Sequence, residues 1–126
     1  GVTVGVEPLQ TSECNFLNKL EEARRLVAAV NHAAIRLTAD VFHMLRAEES
    51  PDAIRKAGAL VAHVHLAEKR TRSAPAVDGD DFRPWIAALK DAGFQGLISL
   101  ECGWDDPALQ LPKAIASLRE QAAALD

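Results

Sequence analysis

VTVGVE at residues 2–7, IRLTAD at 35–40, LVAHVH at 60–65 and LISLE at 97–101 are four short runs built to one plan. Each reads as a β-strand, in which successive side chains point to opposite faces. Val2, Val4 and Val6 fall on one face, as do Ile35, Leu37 and Ala39, then Leu60, Ala62 and Val64, then Ile98 and Leu100. The other face ends in Glu7, Asp40, His65 and Glu101, all residue types that ligate metals. A slip of one residue in any run would move that run's ligand to the apolar side. Agreement in phase across four segments predicts a site at the carboxyl end of a parallel sheet.

Working outward, each strand is followed by a helical pattern. Phe16, Leu20, Ala23, Val27 and Val30 keep helical spacing after the first run. Ser50 suits an N-cap and Pro51 the first helical position, with Ile54 and Ala57 facing inward. Phe82, Trp85, Ile86 and Leu89 form a third stripe, closed by Gly93 where a helix C-cap glycine belongs. Asp106-Pro107 starts the last helix, with Leu111, Ile115, Leu118 and Ala122 as its stripe. The order is βαβαβαβα, which implies a parallel sheet with right-handed crossovers. The intervals between ligands, 33 residues (7 to 40), 25 (40 to 65) and 36 (65 to 101), suit βα units.

Two architectures compete. A doubly wound sheet needs near-continuous apolar strands. Here one face carries Thr3, Gly5 and Glu7, Arg36, Thr38 and Asp40, His63 and His65, and Ser99 and Glu101. A barrel lumen accepts such residues near its mouth. No GxGxxG follows the first strand, which removes the dinucleotide-binding variant. The expected fold is therefore α/β, a (βα)4 half of a TIM barrel, with residues 1–126 as a single half-barrel domain. A whole barrel takes about 250 residues.

Composition narrows the function. Hydrophobic residues at 48% and charged residues at 25% are ordinary for a globular chain. A net charge of −4 argues against nucleic acid or an anionic membrane as partner. No apolar run approaches the roughly 20 residues of a membrane span, and no signal peptide is evident. Cys14 and Cys102 lie far apart without a CxxC pair, so they read as free thiols of a reducing, cytoplasmic compartment rather than zinc ligands. The chain enters a strand directly after Gly1, an abrupt start that reads as a fragment or a tag scar.

VGVEPL (4–9), RLTADVFH (36–43), VAHVHLAEK (61–69), VDGDDFRPWIAALKDAGFQG (77–96) and ISLECGW (98–104) together resemble the C-terminal half of the xylose-isomerase-like sugar isomerase and epimerase superfamily, in its tagatose/psicose epimerase-like branch. The resemblance implies a sugar isomerase or epimerase. Glu7, Asp40, His65 and Glu101 would hold one divalent cation, Mn²⁺ or Mg²⁺ first, with Co²⁺ or Zn²⁺ as alternatives. It also implies enediolate proton transfer between Glu7 and Glu101, and a substrate contact from His43. The family's substrate arginine, six residues past the metal histidine, is replaced by Thr71 and flanked by Arg70 and Arg72.

Blander readings stand beside these. His43 can simply pack. Lys69, Arg70 and Arg72 read either as a solvated loop or as an anion site. Trp104 either walls a sugar pocket or packs on its own loop, and His63 reads as a hydrogen-bonded lumen residue rather than a ligand. A half barrel leaves two open sheet edges and an uncovered inner face, with Val61 and Leu97 exposed on it. The expected partner is a second copy, closing eight strands as a homodimer, or else a separate N-terminal half. A non-catalytic binding or assembly module on the same fold is the competing function.

Overall fold

The computed structural model describes residues 1–125. Four strands, β1 (Val4–Val6), β2 (Ile35–Asp40), β3 (Val61–Leu66) and β4 (Leu97–Leu100), form one sheet in sequential order, every neighbour parallel. The helices are α1 (Leu20–Val30), α2 (Val41–Arg46), α3 (Asp52–Ala57), α4 (Arg83–Asp91) and α5 (Pro107–Ala123). A doubly wound sheet reverses its strand order at a switch point. Here each crossover advances one strand in the same sense, so the fold is a (βα)4 half of a TIM barrel, as the alternation predicted.

The core lies between the helices and one face of the sheet. Leu20, Ala23 and Val27 of α1, Ile54 and Ala57 of α3, and Trp85, Ala88 and Leu89 of α4 pack with Leu37, Ala39, Val64 and Leu66 in a single cluster. Phe82 joins it, fully buried immediately before α4. Gly93, at φ +68, ends α4 as expected, with Phe94 N–H bonding Leu89 O at 3.0 Å and Gly93 N–H bonding Lys90 O at 2.9 Å. Asp106 caps α5 by accepting from Leu109 N–H at 3.2 Å.

Several local expectations are corrected. Val61 is not exposed on the inner face; it is buried in the core beside Leu37. The cause is a bulge: Leu37 pairs with Val61 but Thr38 with His63, so β3 advances two residues for one on β2 and its phase inverts at Ala62. Leu97 is exposed as expected, at 75%. Phe16 is 66% exposed because α1 begins only at Leu20. The third helix starts one residue late, with Pro51 as its cap and Ser50 contributing its carbonyl to Ala53 N–H. In α5 the fully buried residue is Ala114, while Ile115, Leu118 and Ala122 line a groove of about 260 Å³ against Ile98 and Leu100.

Candidate metal centre

The four strand-end residues meet. Glu7, Asp40, His65 and Glu101 each offer one ligand atom, and all four atoms lie within 4.8 Å of one another. His65 Nδ1 is 3.1 Å from Glu7 Oε1, 3.1 Å from Glu101 Oε2 and 3.7 Å from Asp40 Oδ2. Local structure aims each group. Asp40 ends β2 and caps α2: its Oδ1 accepts from Phe42 N–H at 2.8 Å and His43 N–H at 3.4 Å, which leaves Oδ2 turned to the cluster. The ring of His65 stacks edge-on against His63, 4.9 Å between centroids. His63 itself bonds Ser99 Oγ at 3.0 Å, one step down the lumen, as a lumen residue should.

Converging carboxylates disturb one another. Burial holds Glu7 above its ordinary range, with the Asp40 and Glu101 charges adding to the rise and His65 offsetting part of it. Burial also raises Asp40, against the opposing pull of His43, Arg72 and His65. For Glu101, burial pushes up, but the His65 and Arg72 charges and hydrogen bonds from Asp40 and Arg72 outweigh it, so it falls below its ordinary value. Three carboxylates and one imidazole are an oxygen-rich set that fits a hard divalent cation, and such a cation would relieve the strain on Glu7 and Asp40. The residues present therefore fit the metal that the resemblance implies.

His43 lies beside the cluster, 2% exposed. Gln10 N–H donates to its Nδ1 at 3.2 Å, which places the ring proton on Nε2. That Nε2 is 3.7 Å from Asp40 Oδ2 and 4.0 Å from Glu13 Oε2, and makes no hydrogen bond among the described residues. Burial keeps the imidazole pKa down, so the ring is a neutral donor without a partner.

The loop after β3 separates the two arginines. Arg72 reaches the cluster: its Nη2 is 2.6 Å from Glu101 Oε2 and 3.5 Å from Asp40 Oδ2, and its guanidinium lies over the Phe42 ring at 4.8 Å. Arg70 is corrected, since it turns outward to pair with Asp78 and does not join the site. Lys69 is exposed. Trp104 is half-buried in the loop after β4.

Three residues went unread in the sequence. Glu13 Oε2 stands 3.7 Å from Arg72 Nη1, and Gln10 holds its other oxygen at 2.6 Å. Glu68, fully buried, accepts from the N–H groups of Ala76, Asp78, Gly79 and Asp80 and from Ser73 Oγ, and so shapes the loop that carries Arg72. Glu13 and Gln10 sit in an aperiodic segment that gives no face to read. Glu68 had one signal, an acid two residues past the end of β3.

A family described as xylose isomerase-like TIM barrel matches residues 1–121. The chain belongs to that family. A D-psicose 3-epimerase of Enterocloster bolteae is 35% identical over 104 residues, 79% of this chain and 33% of its own length. The structure of a 3-keto-D-glucoside 4-epimerase from Escherichia coli superposes with a TM-score of 0.85 at 27% identity, over 94% of this chain and 46% of that one. A Clostridium cellulolyticum D-psicose 3-epimerase, solved with D-tagatose, gives a TM-score of 0.80 at 26% identity, over 96% and 48%. The chain thus spans between a third and half of the length of these relatives.

Proposed function

We propose that this chain is the metal-holding half of a ketose epimerase, acting on a small sugar. The observation that carries the reading is the convergence of Glu7, Asp40, His65 and Glu101 within 4.8 Å at the carboxyl ends of four strands. The epimerase names of the relatives support the reaction class. Mn²⁺ or Mg²⁺ suits the donor set best, held by all four residues. A cation there would polarise the ketose carbonyl and its neighbouring hydroxyl.

Glu7 and Glu101 follow β1 and β4, the two outermost strands, and each stands 3.1 Å from His65 Nδ1. A sugar carbon between them would present one face to each. One carboxylate removes the proton beside the carbonyl, leaving an enediolate, and the other carboxyl returns a proton to the opposite face. The burial that raises Glu7 makes it the stronger base of the two. His43 Nε2–H donates to a substrate hydroxyl, Arg72 reaches a substrate oxygen, and Trp104 walls the mouth.

A further four strands would complete the lumen. Homodimerisation is our preferred reading of how they are supplied, and a separate N-terminal half is the alternative.

The reaction is tested by solvent-deuterium incorporation at the carbon beside the carbonyl, across a panel of ketoses with Mn²⁺ present. Glu7→Gln and Glu101→Gln keep the shape but remove the base, and each should lower exchange by about 10²–10⁴-fold. Exchange at the wild-type rate in both variants would overturn the two-glutamate mechanism. No exchange by wild type with any sugar would replace the enzyme with the non-catalytic reading.

A further inference from the structure

Arg72 bonds the same carboxylate oxygens that a cation needs. Its Nη2 lies 2.6 Å from Glu101 Oε2 and 3.5 Å from Asp40 Oδ2. Those two oxygens are the ones 3.1 Å and 3.7 Å from His65 Nδ1. A guanidinium at that position neutralises part of the cluster and repels a second positive charge.

Its backbone is fixed. Arg72 sits at φ +55, its N–H bonds Glu68 O at 3.1 Å, and its carbonyl accepts from Gly103 N–H at 2.8 Å. The buried Glu68 carboxylate ties down the rest of the loop. Only the side chain is left to move, and a second anchorage is at hand. Nη1 is already 3.7 Å from Glu13 Oε2, and the Phe42 ring at 4.8 Å offers a flat surface to slide over.

We propose that Arg72 is a tethered counter-ion that competes with the divalent cation for Glu101 and Asp40, and that metal binding drives its guanidinium across Phe42 to Glu13. The inference rests on the metal reading above. It makes Arg72 a positioning residue that responds to metal. In the metal-free chain it satisfies the acids; in the loaded chain it stands beside His43 Nε2, ready for a sugar oxygen. Linkage then requires that whatever holds Arg72 on Glu101 weakens metal binding by the same factor that metal weakens that contact.

The test is Mn²⁺ affinity, read from the electron paramagnetic resonance signal of free Mn²⁺, together with melting temperatures in chelator and in saturating Mn²⁺. Arg72→Met keeps the apolar stem and removes the fork. It should bind Mn²⁺ about tenfold more tightly than wild type, melt lower in chelator and match wild type in Mn²⁺. Arg72→Lys, which keeps charge without the fork, should fall between, and it serves if the methionine variant does not fold. Arg70→Met removes a cation that pairs with Asp78 outside the cluster and should leave affinity unchanged. Wild-type affinity in Arg72→Met, or equal tightening in Arg70→Met, overturns the competition while the metal reading survives. Absence of Mn²⁺ binding by wild type and Arg72→Met alike overturns both.

Discussion

At the scale of single residues, what decides a position is often a close approach rather than a contact made. Gly96 precedes β4 where a Cβ would stand 2.4 Å from Ala62 O and 2.7 Å from the Phe94 ring. The nearest atom is backbone, the carbonyl of the bulged residue of β3, so relief requires the chain itself to shift. Gly96→Ala should therefore cost about 1–3 kcal/mol, seen as a lower urea midpoint with an unchanged slope. An unchanged midpoint would mean that the β3–β4 register is softer than this geometry requires. Legibility at this scale was uneven. Glu7, Asp40, His65 and Glu101 could be read because alternation along a strand is rigid, and three of the four runs kept their phase throughout. In the third run Val61 was misassigned, because a bulge changes the parity without leaving any mark in residue type. The choice between Arg70 and Arg72 was equally invisible: it turns on a left-handed backbone at Arg72 and on the Glu68 hub, neither of which spacing encodes.

At the scale of elements, the helix starts show how far a local signal reaches. Asp106 and Gly93 did what their chemistry predicts, since both act within one turn of their own chain. The start of α1 has no such signal. Lys19 stands at its cap and cannot accept, so two acids substitute for it. Glu22 reaches back to Asn18 N–H at 2.8 Å and Lys19 N–H at 3.2 Å, and Glu49, from beyond α2, takes Leu20 N–H with both oxygens at 3.0 and 3.1 Å. That long-range cap could not be read from sequence, which is why Phe16 was placed in the helix. It also carries a pH dependence. Burial raises Glu49 above its ordinary value of 4.5, only partly offset by the Leu20 N–H. The folded chain thus holds this proton more tightly than the unfolded chain does. Its contribution is complete below the unfolded value and declines as pH rises through the native one. Glu49→Gln keeps an acceptor and removes the titration. Its melting temperature relative to wild type should rise as pH is taken from about 4 to 7. A difference that stays flat, or falls, over that range would show that Glu49 ionises at no net cost in the fold.

At the scale of the whole molecule, the half barrel is closed at neither edge. β1 and β4 are both edge strands, all strands run parallel, and the helices lie on one face. Two copies related by a two-fold axis along the barrel would place β4 of each beside β1 of the other, parallel, giving eight strands and no free edge. The apolar residues left exposed lie where such a seam would run. Val4 is 51% exposed on β1, Leu97 and Ile98 are 75% and 43% exposed on β4, and Leu111 and Ile115 of α5 are 42% and 39% exposed behind that edge. A different N-terminal half would cover the same surfaces, so the strands alone do not choose between partners, but mass does. Light scattering on a sizing column at micromolar concentration should return twice the 13.6 kDa of one chain. Leu97→Lys places a charge in the lumen at the seam while removing an exposed apolar side chain, so it should shift the population to monomer without loss of the single-chain core. Closure also brings two copies of the Glu7–Asp40–His65–Glu101 cluster to one mouth. A homodimer should then bind up to two Mn²⁺ per barrel, and a stoichiometry of one would show that crowding lets only one cluster load. A wild-type chain that stays a stable monomer at micromolar concentration overturns the two-fold closure and leaves the second half to a different partner.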